Sequence, residues 1–599
     1  MKGGWCPPKM AAVSDVPIRP PPPVLPYAVP RTTRRFWWPQ WAGDVRWPAA
    51  ALAVLAVIMC VGFPIWRVAS GRESYILHLS DDSYYYFRVA PHLAAGDGPT
   101  ADGVSWTTGW HPLYGFLLAG VCWLTHPSLD GLVKEAIGLN AIFYVLTGYV
   151  LYLAGRCWWG RAAGIAAALL WLSNAPSVIT AAEGLETSTY VLGLALLLWR
   201  LADLVTRPRA GGAYALACLG VGVCAGLAVL GRTDSILLMP LVALILLIGG
   251  PVKPSWSARL AGVAVFSVLA LAAYGAWIGY VWHYTHELHQ GSAAIKMEWR
   301  KFLMRDKSAG ARVGFALSIW GGYLGAAVAR VAALKWVVAG VPLVMRAARG
   351  WAERGLVHLL WIGPAVLGLA YAMLLDWARA WYVAPALLTL TLLAAGAVGF
   401  FLRAPAEGGS AAFSGGALGW VQRLVRGNLG LLAWVVVLES AVVFTIAVIK
   451  EFDPDSEKFR DLRVARWLEK YVEPHARIGC WHSGIISYYS PRVNVINLDG
   501  LNNNDILPIL RDGRPLNGYW DRIGLVGLIP SSDVNLKTGE VGKMGKFDWE
   551  WDHKKLVKWR DAPGFGGPVQ SMDIYEQVIP QRVYRVVEQA GTPSTRPSH

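Results

Sequence analysis

Long apolar stretches separated by short polar loops fill the first 450 residues of the chain. Most are about 20 residues long, the length that a helix needs to cross the hydrocarbon core of a membrane. Eleven spans are predicted, at 48–68, 132–154, 162–178, 187–205, 212–230, 234–250, 259–282, 318–345, 356–375, 380–402 and 428–449. A further run, 112–125, is too short to span and is interpreted as re-entrant or interfacial. The pattern predicts a mainly α, polytopic membrane helix bundle.

Basic residues set the orientation, because cytoplasmic loops retain Lys and Arg. Arg31, Arg34 and Arg35 precede the first span, and the later basic loops all fall on the same side if 112–125 does not cross. The N-terminus is therefore predicted inside and the C-terminus outside. Residues 1–45, rich in Pro, are predicted to be a disordered cytoplasmic tail, and 46–449 the membrane domain. Its first outer loop is predicted at about 69–130.

The pattern changes after residue 450, where polar and apolar positions alternate over short segments. Helical spacing predicts a helix at 456–472. Strands are predicted at 477–481, 493–498, 522–529 and 570–578. Residues 450–599 are thus predicted to form a small extracytoplasmic α/β domain. In it, Trp481 or Tyr488 could stack on a sugar ring, or the polar segments around them could be turns.

Composition agrees with a membrane protein, since 55% of the residues are hydrophobic and only 16% are charged. These values exclude a single soluble globule and a disordered chain. The formal net charge is +15, but the excess lies in the membrane half. Retained basic loops explain it better than a nucleic-acid surface, so no nucleic-acid partner is expected. The seven Cys show no paired spacing, which indicates neither a disulfide framework nor a zinc site.

Two adjacent carboxylates, Asp81 and Asp82, follow the first span. Like charges this close raise the pKa of one of them, which suits a general base or a cation ligand. The alternative is a solvated loop with incidental acidic residues.

The surrounding motifs strengthen the first interpretation. An aromatic segment ending in Arg88 follows the acids, then a Gly-rich segment at 96–100, then Thr107-Thr108-Gly109-Trp110-His111-Pro112 opening the short apolar run. This order resembles the first outer loop of the GT-C superfamily of membrane glycosyltransferases, in bacterial members written roughly as D-D-[AS]-[YF]-Y-Y-x-R, G-x-G-x-T and N-G-[FW]-H-P-L. Thr108 stands where Asn is usual.

The resemblance implies a glycosyltransferase that moves a hexose or pentose from a polyprenyl-phosphate carrier to a hydroxyl acceptor. The reaction would take place at the outer face of a bacterial plasma membrane, among membrane lipids, with a glycan, lipid or protein as acceptor. Direct displacement would invert the anomeric centre. Asp82 or Asp81 would be the general base, with Asp82 slightly preferred, and His111 would contact substrate.

Other charged residues complete the predicted site. Glu183 and Glu186 could bind sugar hydroxyls, hold a divalent cation with Asp81 and Asp82, or merely cap a helix. Oxygen ligands would favour Mg, Mn or Ca, although the superfamily includes members that need no metal. The candidate phosphate-binding residues are Arg88, Arg232, Lys296 and Arg379.

Two other functions fit a polytopic chain. A lipid-linked glycan flippase or transporter would place its charges within the spans, whereas the acids here cluster in loops. A non-catalytic envelope assembly protein could keep a transferase-like fold, since fold alone does not establish activity.

Overall fold

The computed structural model describes residues 46–209, 211–248, 254–330, 350–375, 379–402, 428–450 and 457–529, and six short strands between 534 and 588. The predicted tail 1–45 and the predicted strand 570–578 lie outside the described residues. So does part of the predicted span 318–345.

Helices make up most of the described chain. In the membrane half they are α1 Arg46–Val57, α2 Phe63–Ala69, α3 Arg72–His78, α4 Asp81–Ala95, α5 Pro112–Thr125, α6 Leu129–Trp159, α7 Arg161–Leu172, α8 Ala175–Ala182, α9 Thr187–Thr206, α10 Gly211–Gly231, α11 Met239–Ile248, α12 Trp256–Thr285, α13 Gly291–Met304, α14 Ala309–Arg330, α15 Gly350–Leu374, α16 Ala384–Leu402 and α17 Leu429–Lys450. A π-helical turn, Ile58–Gly62, joins α1 to α2, and 3-10 turns precede α11 and α16.

Seven helices among the described residues are long and apolar enough to cross a membrane, or eight if the bent pair α7 and α8 is one span. The prediction of a polytopic, mainly helical protein is confirmed, while the count of eleven spans stays a prediction. The predicted span 234–250 consists of a 3-10 turn, Thr233–Leu238, followed by the short α11. The 112–125 run forms a separate helix of 14 residues.

Small residues let the long helices approach closely, as is usual where lipid removes the hydrophobic drive for association. A Cβ atom at Gly193 of α9 would lie 3.0 Å from the Cα of Ala228 in α10. Between the first span and α6, helices α3, α4 and α5 form a second layer over one end of the bundle. Its core is aromatic, with Tyr84, Trp110 and Tyr114 fully buried.

The C-terminal part begins with helix α18, Glu457–Tyr471, and continues with a sheet and short helices. These elements are β1 Arg477–Cys480, α19 Gly484–Tyr489, β2 Asn494–Asn497, α20 Ile506–Arg511, α21 Asn517–Ile523, β3 Gly527–Ile529, β4 Val534–Asn535, β5 Glu540–Val541, β6 Gly545–Lys546, β7 Glu550–Trp551, β8 Lys554–Lys558 and β9 Tyr584–Glu588. The main sheet has the order β2-β1-β3-β9-β8-β7, and a second sheet has the order β4-β5-β6.

The first three strands are parallel, with Ile478 of β1 opposite Val495 of β2 and Gly527 of β3. Strand β9 pairs with β3 in the antiparallel direction. The predicted helix 456–472 and the strands at 477–481 and 493–498 are found. The predicted strand 522–529 is wrong in its first half, because α21 extends to Ile523 and ends at Gly524 in the left-handed conformation, with φ 62°.

Candidate active site

Asp81 and Asp82 occupy the first turn of α4. Ser80 precedes them in an extended conformation, and its backbone N–H donates to the carbonyl of Glu183 at 3.0 Å. The hydroxyl of Ser83 donates to the same carbonyl at 2.8 Å. The positive end of the helix dipole favours carboxylates at this position. The acid pair is therefore fixed by its own helix and by the loop that precedes α9.

Asp81 joins α4 to the C-terminal domain. Its carboxylate oxygens accept hydrogen bonds from the backbone N–H groups of Gly484 at 3.1 Å and Ile485 at 2.8 Å, at the beginning of α19. A Cβ atom at residue 484 would lie 2.2 Å from the backbone oxygen of Asp81, so this close approach requires glycine. Burial raises the pKa of Asp81 to about 6, although the Ile485 amide opposes the rise. Asp81 is thus engaged in a contact between the two domains.

Asp82 differs from its neighbour, because it makes no hydrogen bond to any residue that the structure describes. Burial raises its pKa, while the positive charges of Lys296 and Arg379 oppose the rise. The charges of Asp499 and His482, both from the C-terminal domain, also act on it. An unpaired carboxylate with a raised pKa is a stronger base than an ordinary aspartate, which suits proton abstraction.

Three basic side chains, those of Lys296, Arg232 and Arg379, form a cationic group around Tyr382, near Asp82. The ammonium of Lys296 donates to the Tyr382 hydroxyl at 2.8 Å, and the guanidinium of Arg232 lies 4.7 Å from the centre of that ring. Arg379 lies three residues before Tyr382, over the ring of Trp381 at 5.8 Å. Burial alone would lower the pKa of Lys296, but Tyr382 and Asp82 raise it above its usual value. Lys296 is therefore a cation at neutral pH.

Arg232 is neutralised within a buried ion network. It donates to Glu186 at 2.7 Å and to Asp234 at 3.0 Å, and the hydroxyl of Tyr371 donates to Asp234 at 2.6 Å. The Tyr86 hydroxyl donates to the second oxygen of Glu186 at 2.9 Å. Burial would raise the pKa of Glu186, but the guanidinium of Arg232 holds it below its usual value. Glu186 and Arg232 satisfy each other, so neither is available to a substrate in this arrangement.

His111 lies at the edge of the same network. Its Nε2 is 3.6 Å from a Glu186 oxygen, and its buried Nδ1 has no hydrogen-bond partner among the described residues. Burial lowers the pKa of His111 to about 4, despite the Glu186 charge that opposes this fall. The imidazole is therefore neutral at physiological pH.

Two predicted site residues lie elsewhere. The Nε of Arg88 donates to the carbonyl of Ala101 at 2.9 Å, and its charge faces Asp102, so it supports the loop that precedes α5. The charge of Glu183 faces Arg67 and Lys458. The structure thus brings Asp82, Lys296 and Arg379 together and gives Arg88 and Glu183 other surroundings.

The four predicted metal ligands do not form one donor set. Asp81 accepts two backbone amides, Glu186 is held by Arg232, and Asp82 faces two cations. Among the described residues, no group of three or more His, Cys, Asp or Glu side chains could hold a metal ion. These carboxylates do not fit a divalent cation shared between the two acidic segments.

The sequence marked the polar ends of the first two strands of the C-terminal domain as sugar-binding segments or turns, but it did not single out His482 or Asp499. His482 follows β1 and Asp499 follows β2, and polar residues at the carboxyl ends of parallel strands are a usual sign of a site. Tyr382 was also missed, since only the fold brings it to Lys296. Trp481 and Tyr488 are buried at 3% and 1% exposure, so they belong to the core and cannot stack on a ligand sugar.

Comparison with solved structures identifies the class of fold. The crystal structure of ArnT from Cupriavidus metallidurans bound to undecaprenyl phosphate is 14% identical, with a TM-score of 0.52, over 81% of this chain and 93% of ArnT. The Archaeoglobus fulgidus oligosaccharyltransferase in the apo form is 13% identical, with a TM-score of 0.51, over 85% and 72% of the two chains. Archaeal AglB from the same organism, in complex with an inhibitory peptide and a dolichol-phosphate, is 13% identical, with a TM-score of 0.50, over 82% of this chain and 70% of AglB. The chain therefore shares the fold of these solved structures, which is the fold that the resemblance in its first outer loop predicts.

A family model matches the C-terminal part at residues 449–538 and is described as a domain of unknown function (DUF8728). The matched segment includes α18, the three parallel strands, and both loops that face Asp82. No curated protein matches the sequence.

Proposed function

We propose that the protein transfers a sugar from a polyprenyl-phosphate carrier to a hydroxyl acceptor at the outer face of a bacterial plasma membrane. The observation that carries this proposal is the position of one unpaired carboxylate, Asp82, beside the cations Lys296 and Arg379. Such a site can take a proton from an acceptor and stabilise a phosphate leaving group at the same time. A binding or scaffold protein has no need of that arrangement.

The reaction forms a bond between the acceptor oxygen and the anomeric carbon as the bond from that carbon to the phosphate oxygen breaks. Asp82 takes the acceptor proton, which makes the oxygen a better nucleophile. Lys296 and Arg379 stabilise the negative charge that develops on the lipid phosphate. Direct displacement on one face of the sugar inverts the anomeric centre.

The lipid chain is expected along the lipid-facing surface of the bundle. An apolar cavity does lie between α9, α11, α15 and α16, below the helix ends that carry the cationic group, but its volume is about 30 Å³. That volume is too small for a polyprenyl chain. Because Asp81 and Glu186, two of the four predicted metal ligands, are held by protein groups, we expect a chelator to leave transfer unchanged.

The test uses purified protein in detergent, a panel of radiolabelled polyprenyl-phosphate sugars and a membrane extract from the host. Asp82→Asn should lower transfer roughly 10²- to 10⁴-fold, the usual contribution of a general base. Asp97→Asn is the matched control, since Asp97 is an exposed acid of the same loop. Asp81→Asn should cost less than Asp82→Asn.

The donor panel also tests the class of reaction. Label that moves from a lipid donor to a new product, and is lost in Asp82→Asn, supports the transferase. If Asp82→Asn stays active while Asp81→Asn does not, the base is Asp81. Wild-type protein that moves no label from any donor would refute the proposal for every donor in the panel.

A further inference from the structure

The C-terminal domain presents one histidine, His482, beside the acid pair. Strand β1 ends at Cys480, and α19 begins at Gly484, so His482 lies in the short connection between them. Its neighbours Trp481 and Ser483 are buried, at 3% and 2% exposure, whereas His482 is exposed. The loop therefore turns a single side chain of this connection toward solvent.

The backbone of His482 is held in an unusual conformation. Its φ is 52°, in the left-handed region that few residues other than glycine occupy. Asp499, itself 1% exposed, fixes this geometry: one carboxylate oxygen accepts the N–H of His482 at 3.3 Å and the other accepts the N–H of Leu501 at 2.8 Å. Asp499 therefore holds the backbone of residue 482 in place.

Helix α4 meets the same loop on its other side. Asp82 and Tyr85 are three residues apart and so share one face of the helix. The Tyr85 hydroxyl lies 3.5 Å from the Asp499 oxygen that holds His482, and Asp81 accepts the amides of residues 484 and 485. The loop that carries His482 thus contacts Asp81 through its backbone, and it meets the face of α4 that carries Asp82 through Asp499 and Tyr85. Burial raises the pKa of Asp81 and of Asp82, and a positive charge on His482 opposes that rise at both acids.

We propose that His482 is the proton-relay residue of this site, with Asp499 as the positioning residue that fixes its loop. This inference rests on the proposed function. The acceptor hydroxyl gives its proton to the Asp82 carboxylate, the carboxylate passes it to the neutral imidazole, and the imidazole releases it to water. Asp82 is then ionised again, and no electron transfer or further reactant is needed.

The other charged groups around Asp82 are poorly suited to this step. Lys296 and Arg379 act on Asp82 as cations and have no lone pair to accept a proton. Asp81 and Asp499 each accept two backbone amides. A neutral imidazole, by contrast, has one ring nitrogen that can accept a proton and one that can donate a proton.

The test compares His482→Asn with His475→Asn. Asparagine tolerates the left-handed backbone, so the loop can keep its conformation. His475 is the matched control, because it is an exposed histidine of the same domain with φ 61°, at the opposite end of β1. At pH 7.5, His482→Asn should lower kcat about 10- to 100-fold with unchanged KM for donor and acceptor, and His475→Asn should behave as wild type.

Two readouts separate a relay from a purely structural role. The ratio of the wild-type kcat to the kcat of His482→Asn should shrink as the pH falls, because a protonated imidazole cannot accept the proton. Added imidazole should restore part of the kcat of His482→Asn. Unchanged kcat, or a raised acceptor KM with no rescue, would overturn the relay while transfer by wild type still supports the function. Wild-type protein without any transfer would overturn both.

Discussion

Two acidic segments lie at the same end of the helix bundle and differ in what surrounds their carboxylates. In the segment before α9, Glu186 is enclosed by Arg232, Tyr86 and His111. At the beginning of α4, Asp82 makes no hydrogen bond to a described residue and only faces charges. A buried carboxylate with satisfied hydrogen bonds stabilises a structure, whereas one left unpaired at a cost points to chemistry.

The same difference separates the cations. Glu186 and Asp234 more than balance the charge of Arg232, while Lys296 has a tyrosine hydroxyl as its hydrogen-bond partner. Positive charge for a phosphate is therefore expected from Lys296 together with Arg379. The following experiments test this contrast, from the largest expected effect to the smallest.

Removing the charge of Glu186 should have the largest effect on stability. Glu186→Gln takes away one of the two buried anions of Arg232, and the cost is about 3 kcal/mol, the low end for breaking a buried pair, because Asp234 stays beside Arg232. We expect a clear fall of the unfolding midpoint in detergent, with Glu473→Gln, at an exposed site, as the control. A variant with wild-type stability but weakened donor or acceptor binding would show instead that Glu186 is a substrate ligand.

His111 should make stability depend on pH. Its pKa in the folded protein is about 4, against an ordinary value of about 6.5, because burial disfavours the charged form. As the pH falls from 6.5 to 4, the unfolded chain takes up a proton that the folded protein refuses, so stability decreases by about 3 kcal/mol. Below about pH 4 both states are protonated and no further loss follows.

The measurement compares unfolding midpoints of wild type and His111→Asn between pH 7 and pH 4. As the pH falls, the unfolding midpoint of wild type should decrease more than that of His111→Asn. His126→Asn, at an exposed histidine, serves as the control and should keep the wild-type slope. A slope unchanged by His111→Asn would contradict the assignment of a neutral, buried imidazole.

The acid pair and the phosphate-binding candidates could be found from the sequence because they lie in loops between apolar spans, where charge is unexpected. The sequence could not show which of these carboxylates has a hydrogen-bond or ion-pair partner in the folded protein. Glu186 meets Arg232 across 46 residues and Asp81 meets Gly484 across 403 residues, and spacing along the chain does not encode such distant contacts.

The same limit of sequence-based prediction, its blindness to three-dimensional packing, appears in the membrane spans and in the C-terminal domain. Hydropathy locates apolar helices well, since a span needs a fixed length. It located 234–250 as one span, although residues 233–238 form a 3-10 turn that holds Asp234 against Arg232. In the C-terminal domain, Ile523 and Leu525 looked like one strand because helix α21 and the segment after it both pack apolar side chains into the core.

Lys296 should matter for donor turnover more than any other residue of its helix. Lys296→Met keeps an apolar stem of similar length and removes one charge near the phosphate position. Loss of a charged interaction of this kind costs about 1.5–3 kcal/mol, or roughly 10- to 150-fold in kcat/KM for the donor. Lys301→Met is the control, because Lys301 lies on the same helix at 72% side-chain exposure. Equal effects of both substitutions would argue against a specific phosphate contact.

The contact between Asp81 and α19 should give the smallest effect. Gly484→Ala places a Cβ atom 2.2 Å from the backbone oxygen of Asp81, so α19 must move away from α4. Overpacking of this kind costs about 1–3 kcal/mol. Gly518→Ala is the control, since a Cβ atom at residue 518 would meet nothing within 4 Å.

The two alanine variants test whether the C-terminal domain takes part in the active site or only packs against the membrane half. If the C-terminal domain completes the site, Gly484→Ala should lower transfer several-fold as well as stability, because His482 and Asp499 move with α19. Limited proteolysis should then cut between the domains faster in Gly484→Ala than in Gly518→Ala. Loss of stability without loss of transfer would mean that the domain docks on the membrane half without contributing to the chemistry at Asp82.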